Sequence, residues 1–273
     1  MKQWQRALVT GASSGIGEEF TRQLASAGAD LILVGRNSDK LEAIARELRA
    51  AVDVEVVVAD LSRREDIGRA ARVLTDTDPP VDLLINCAGL SIWGPFADHP
   101  IEEHEALVNV CAVAPMVLTH AALSSMKAAG RGTIVNVSSV CGNGPVRLLA
   151  SYAAAKAFLN SLSQTVSAEM AASGVTITTV VPGPTRTPIN EKAGQDTDTS
   201  GPEWMEPSRV VSAALRAAAA GKRHVIPGAA NWLRTMVTPR YTAGPASIPM
   251  RAAGAAADRL IYYGYRVMPR RRR

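Results

Sequence analysis

Apolar positions along the chain fall in short, nearly unbroken runs that alternate with segments of helical spacing. Residues 6–10, 30–34, 54–58, 81–85, 132–137, 175–181 and 224–226 read as strands, and runs that are apolar on both faces are what a parallel sheet buries. Between them, 18–27, 38–51, 102–126, 152–172 and 208–220 carry the period of helices, with a further helix opened by Ser62-Arg63-Arg64-Glu65 as a capping box. Ser38 reads as the N-cap of its helix and Pro115 as a kink or break. Strand alternating with helix predicts an α/β fold, a doubly wound parallel β-sheet flanked by helices. The pattern covers 1–228 as one domain. Within it, 190–207 is polar, contains Gly and Pro, lacks a clear period and is expected to be a mobile lid. Residues 229–273 form a C-terminal extension in which Trp232, Tyr241, Tyr262, Tyr263 and Tyr265 are interspersed with arginines.

Composition narrows the function. The 273 residues carry a formal charge of +5, of which Arg270 to Arg273 supply four, so the folded body is close to neutral and nucleic acid is not an expected partner. The basic, aromatic extension reads either as a segment that makes weak contact with an anionic membrane surface or as one packed on the body or on another subunit. Cys87, Cys111 and Cys141 show neither C-x-x-C spacing nor neighbouring histidines, so no metal site is expected and the thiols are expected to be reduced. The chain enters a strand within six residues, without the charged and apolar regions of a signal peptide, and no stretch approaches about 18 uninterrupted apolar residues. A cytoplasmic protein is expected, neither exported nor membrane-spanning.

The first strand stops at Gly11-Ala12-Ser13-Ser14-Gly15-Ile16-Gly17 and a helix follows. Strand, glycine turn and helix is what a dinucleotide needs. Glycines let the backbone approach a pyrophosphate, and the helix N-terminus presents unpaired N–H groups at a positive dipole end. Gly11, Ser13, Ser14, Gly15, Ile16 and Gly17 are therefore candidate cofactor contacts. The second strand ends in Gly35-Arg36-Asn37. Where an NAD site would put a carboxylate on the ribose 2′-hydroxyl, Arg36 could pair with a 2′-phosphate, which argues for NADP(H). Asp60, with Leu61 after it, ends the third strand within reach of an adenine, or else caps the next helix. Asn86-Cys87-Ala88-Gly89 ends the fourth, with small residues that admit a ribose, although Asn86 suits a structural role equally well. Pro182-Gly183-Pro184-Thr185-Arg186-Thr187-Pro188 follows the sixth strand, and the Thr185 and Thr187 hydroxyls could bond a carboxamide and phosphates.

The remaining chemistry lies in Ser138-Ser139 and in Tyr152-Ala153-Ala154-Ala155-Lys156, whose phenol and ammonium stand one helical turn apart. An ammonium about 5 Å from a phenolate, at an effective dielectric of about 20, stabilises it by roughly 3 kcal/mol, or about two pKa units. Lys156 is thus expected to lower the Tyr152 pKa and make the tyrosine an acid/base. A serine hydroxyl at the strand end would polarise a carbonyl oxygen. Asn109, inside an apolar helical face, wants a buried partner, either a water beside Lys156 or backbone.

Taken together, these motifs resemble those of the short-chain dehydrogenase/reductase family over roughly 5–188. The resemblance implies a Rossmann fold, NADP(H) or NAD(H) as cofactor, and a catalytic tetrad of Asn109, Ser139, Tyr152 and Lys156. It selects Ser139, thirteen positions before the tyrosine, over Ser138. It also gives Tyr152 and Lys156 places beside the nicotinamide ribose, Asn109 a water that relays protons to Lys156, and Pro182, Gly183, Thr185 and Thr187 the nicotinamide-side loop. Cys87 stands where the family usually has a second asparagine. The expected activity is interconversion of a ketone or aldehyde with an alcohol on a lipophilic small molecule such as a 3-oxoacyl compound or a sterol, and the expected assembly is a homo-oligomer, dimer or tetramer. The alternatives are a non-catalytic NADP-binding scaffold or redox sensor and a sugar-nucleotide epimerase. The latter is disfavoured by the three residues between Gly11 and Gly15, where those enzymes resemble a spacing of two.

Overall fold

The computed structural model describes residues 3–195, 198–229 and 231. Seven strands form one parallel sheet in the order β3-β2-β1-β4-β5-β6-β7: β1 (Arg6–Thr10), β2 (Asp30–Gly35), β3 (Val54–Val58), β4 (Leu83–Asn86), β5 (Gly132–Val137), β6 (Val175–Val180) and β7 (His224–Val225). The doubly wound sheet foreseen from the hydrophobic runs is present, and its strand order reverses between β1 and β4. Such a switch point opens a crevice at the C-terminal strand ends. Thr10 closes the two strands there: its Oγ1 donates to the Ile85 carbonyl at 3.3 Å and accepts from the N–H groups of Cys87 and Ala88 at 2.9 and 3.1 Å.

Helices cover both faces. On one, α1 (Gly15–Ser26), α2 (Ser38–Leu48) and α8 (Pro207–Ala219) bury Phe20, Leu24, Leu41, Ile44, Val210 and Val211 against the sheet. On the other, α3 (Arg64–Asp76), α4 (Ile101–Val108), α5 (Ala114–Ala128) and α6 (Ala150–Glu169) bury Ile67, Leu74, Leu107, Leu118, Met126 and Ala155, and a short α7 (Ile189–Lys192) lies beyond β6. With a π turn at Asn109–Val113, α4 and α5 run as one helix of 28 residues. By length and composition it could cross a membrane, but half of its most apolar stretch is buried in the protein, the pattern of a core helix.

Local details differ from expectation. Asn37, not Ser38, caps α2, its side chain accepting from the Lys40 N–H at 2.9 Å. The capping box at Ser62 does not form, because the Ser62 hydroxyl donates to Asp60 Oδ1 at 2.8 Å while Asp66 takes the Asp60 N–H. Pro115 lies inside the continuous helix, just after the π turn at Asn109–Val113, so the expected irregularity falls in the turn directly before it and does not end the helix. The segment 190–207, expected as a lid, is described except at 196 and 197 and is held to the loop that precedes it. Arg186 donates to the Thr199 and Gly201 carbonyls and pairs with Glu206 at 2.7 Å, and Trp204 is buried. Of the C-terminal extension, all but 229 and 231 lies outside the described residues, so the membrane-contact and packing expectations fall there.

Candidate active site

The strand ends deliver the predicted residues into one cavity of about 1230 Å³. It runs from Arg36, Asp60 and Leu61 at the β2 and β3 ends, past the turn at 11–17 and Ala88-Gly89, to Ser139, Tyr152 and Lys156 beside β5, with Pro182, Gly183, Thr185 and Thr187 after β6. Two predicted residues are not on its wall, Asn86 and Asn109. Asn86 is buried and donates to Asn136 Oδ1 at 2.8 Å and Thr119 Oγ1 at 3.2 Å, and Asn136 in turn donates to Ser163 at 2.8 Å. This chain of amides and hydroxyls links β4, β5, α5 and α6. Asn109 Nδ2 donates to the Ser62 carbonyl at 2.9 Å, so its buried partner is backbone.

The turn after β1 fits a nucleotide. Gly11, at φ +70, lies so close to β4 that a Cβ would stand 2.8 Å from the Ala88 Cα. A Cβ on Gly17 would stand 2.2 Å from the Gly11 carbonyl oxygen. Only glycine allows this approach of α1 to the strand end. The α1 N-cap, Ser14, makes no side-chain capping bond, which leaves the first amides of the helix open toward the cavity as an anion cradle. At the β2 and β3 ends, Arg36 is exposed at the mouth. Burial pushes the Asp60 carboxyl up, but hydrogen bonds from the Ser62 N–H and hydroxyl, with the Arg36 and Arg63 guanidiniums nearby, outweigh it and hold the group below the usual carboxylate range.

At the other end, β5 releases Ser138 and Ser139, both buried. The Ser138 hydroxyl donates to the Lys156 carbonyl at 3.2 Å, whereas Ser139 Oγ accepts from the Cys141 N–H at 3.1 Å and keeps its proton for another acceptor. Lys156 is 3% exposed, donates from Nζ to the Val137 carbonyl at 2.9 Å and stands 5.7 Å from the Tyr152 ring centroid. The expected lowering of the Tyr152 pKa is not what the site produces. Burial pushes the phenol up, the thiols of Cys141, Cys111 and Cys87 add to the rise, and a hydrogen bond with Ser139 works against it. Desolvation of the phenolate is the largest influence on the group and dominates over the favourable interactions around it. Burial likewise pushes the Cys87 thiol up to about 12, with Lys156 opposing.

Sequence reasoning missed much of the wall beyond Tyr152: Leu90, Trp93, Val146, Leu149, Trp204 and Asn231 also line the cavity. They come from separate loops and segments, where no periodicity marks a shared surface. Trp93, a large aromatic soon after the β4 glycine, was the one legible signal. Among the described residues no group of three or more His, Cys, Asp or Glu could hold a metal.

A family model described as short chain dehydrogenase matches residues 5–198. An uncharacterized oxidoreductase of Staphylococcus epidermidis is 34% identical over 185 residues, which cover 68% of this chain and 80% of that protein. Among solved structures, a short-chain dehydrogenase from Sphingobium yanoikuyae in complex with NADPH superimposes with a TM-score of 0.77 at 32% identity, covering 97% of this chain and 98% of that one. The bulky-bulky ketone specific alcohol dehydrogenase from Comamonas testosteroni gives a TM-score of 0.74 at 28% identity, over 97% and 96% of the two chains. With the matched fold, the glycine cradle and a family match over most of its length, the chain belongs to the short-chain dehydrogenase family and is an NAD(P)-dependent oxidoreductase acting on CH–OH groups.

Proposed function

We propose that the protein is an NADP(H)-dependent reductase of lipophilic ketones or aldehydes. One observation carries the reading: a single cavity connects Arg36 at the β2 end with Ser139, Tyr152 and Lys156 at the β5 end. A dinucleotide laid along it puts its 2′-phosphate at Arg36, its adenine near Asp60 and Leu61, its pyrophosphate on the uncapped start of α1, and its carboxamide by Pro182, Gly183, Thr185 and Thr187. Bound there, the cofactor supplies the hydride.

The protein's own groups do the rest. Ser139 donates a hydrogen bond to the substrate carbonyl oxygen as negative charge develops on it. Tyr152 gives that oxygen a proton. A phenol whose pKa burial has raised is protonated at neutral pH, the state this donor role starts from, and the reductive direction rests on the Arg36 site for NADPH. The Lys156 ammonium, steadied by the Val137 carbonyl, offsets the charge left on the phenolate and also holds the nicotinamide ribose. The family resemblance gives Asn109 the water that returns a proton through Lys156, although its Nδ2 is held by the Ser62 carbonyl and it stands off the cavity wall. The apolar wall of Leu90, Trp93, Val146, Leu149, Ile189 and Trp204 supports a bulky, lipophilic substrate, in keeping with the bulky ketones named for the Comamonas testosteroni enzyme.

The test is to titrate the protein with NADPH and NADH by nicotinamide fluorescence, then add small, long-chain and cyclic carbonyl compounds to the preferred complex. Tighter NADPH binding, oxidation by the bulky members and loss of at least about 100-fold in rate with Tyr152→Phe are expected. Turnover confined to sugars or polyols, or a Tyr152→Phe variant with full activity, overturns the reading.

A further inference from the structure

The substrate end of the cavity is walled by two loops that the strand ends do not position: 90–93, after β4, and 145–149, before α6. Two tethers join the segments that carry them, one at Gly94 and Leu148 and one between the flanking residues Phe96 and Ser151. The Gly94 N–H donates to the Leu148 carbonyl at 3.0 Å, and Leu148, at φ +68, is the one non-glycine among the described residues with positive φ. An L-residue enters that region at a cost and stays only where its surroundings hold it. The second tether is His104 on α4, 6% exposed. Its Nε2 lies 3.0 Å from the Phe96 carbonyl oxygen and its Nδ1 lies 2.8 Å from Ser151 Oγ, while its ring stacks on Phe96 with centroids 4.4 Å apart. A carbonyl only accepts, so Nε2 carries the proton. A neutral imidazole then has Nδ1 free to accept from the Ser151 hydroxyl, and both ring nitrogens are satisfied. Ser151 directly precedes Tyr152 in the first turn of α6.

We infer that His104 is a positioning residue. With the Gly94–Leu148 bond, it locks the two substrate-wall loops to the turn that carries Tyr152, so that pocket shape and the place of the phenol are set together. The geometry explains why a histidine is buried on α4 away from the cavity wall, and why a leucine holds a glycine-like conformation beside cavity residues Arg147 and Leu149. The inference rests on the proposed acid/base role of Tyr152 and adds to it a determinant of substrate size.

His104→Phe keeps the ring and its stacking but removes both hydrogen bonds. Amide hydrogen exchange over 145–152 is expected to accelerate about tenfold or more. KM for a bulky ketone is expected to rise about tenfold, with a smaller change for a small ketone, a modest change in kcat and no change in NADPH affinity. His104→Gln, which retains a donor and an acceptor, is expected to recover part of the loss. Ser151→Ala removes a single hydroxyl and is expected to reproduce the exchange effect, which keeps the inference testable should His104→Phe fail to fold. Unchanged exchange over 145–152 in these variants overturns the tether. Accelerated exchange with an unchanged ratio of KM values between bulky and small carbonyls overturns the role in substrate size. Absence of turnover on every carbonyl in the wild-type protein would sink the proposed reductase function instead, while the exchange measurement still decides the tether.

Discussion

In the proposed function, Arg36 separates NADP(H) from NAD(H) use by one removable charge. It follows Gly35 at the end of β2, a strand paired on both sides by β1 and β3, so its Cα is held rigidly while its side chain is exposed at the cavity mouth. A charge-assisted guanidinium–phosphate contact contributes about 1.5–3 kcal/mol. Exposure and ionic screening put this one at the low end, about 1.5–2 kcal/mol, which is about a 10- to 30-fold difference in Kd. Arg36→Ala should therefore raise the NADPH Kd about 10- to 30-fold and leave the NADH Kd within about twofold. Stability, read from urea unfolding, should change by no more than about 0.5 kcal/mol because the side chain is exposed. The same titration at about 0.05 M and about 0.5 M salt adds a second criterion, since the Debye length shrinks several-fold and the wild-type preference should narrow with it. An NADPH preference that survives Arg36→Ala, or that ignores salt in the wild type, refutes the assignment of the 2′-phosphate to Arg36.

Two further perturbations probe the site. Gly17→Ala sets a Cβ 2.2 Å from the Gly11 carbonyl oxygen and must push α1 off the strand end, so NADPH affinity should fall at least about tenfold by fluorescence titration. Wild-type affinity in that variant would contradict the cradle. Burial raises the Cys87 pKa from 9.0 to about 12, so folding favours the protonated thiol. That contribution is complete below about pH 9 and is lost as pH rises toward 12, with about 1 kcal/mol gone by pH 10. Urea midpoints at pH 8 and pH 10 should show the fall, and Cys87→Ser should remove that increment. An identical slope in the variant would mean the thiol does not titrate as described.

Much of this protein is legible one residue at a time. Strands such as Asp30–Gly35 and Gly132–Val137 are largely apolar runs because both faces of the sheet are covered, and α1 follows a turn in which Gly11 and Gly17 are demanded by backbone contact. These are local or nearest-neighbour constraints, so they leave a local trace. The same holds for the order of Ser139, Tyr152 and Lys156, which one strand end and one helix suffice to place together. What the tertiary structure decided is everything that depends on competition among distant groups. Asn37 rather than Ser38 caps α2, its amide oxygen accepting from the Lys40 N–H, and the Ser62 hydroxyl donates to Asp60 rather than capping a helix, because several side chains compete for the same partners. Tyr152 is shifted up rather than down, because desolvation is set by the whole wall and not by the lysine one turn away. The substrate end, from Trp93 to Leu149 and Trp204, is assembled from loops with no shared period. Periodicity records which face of an element is buried, whereas a pocket built from loops is recorded only in the distances between them.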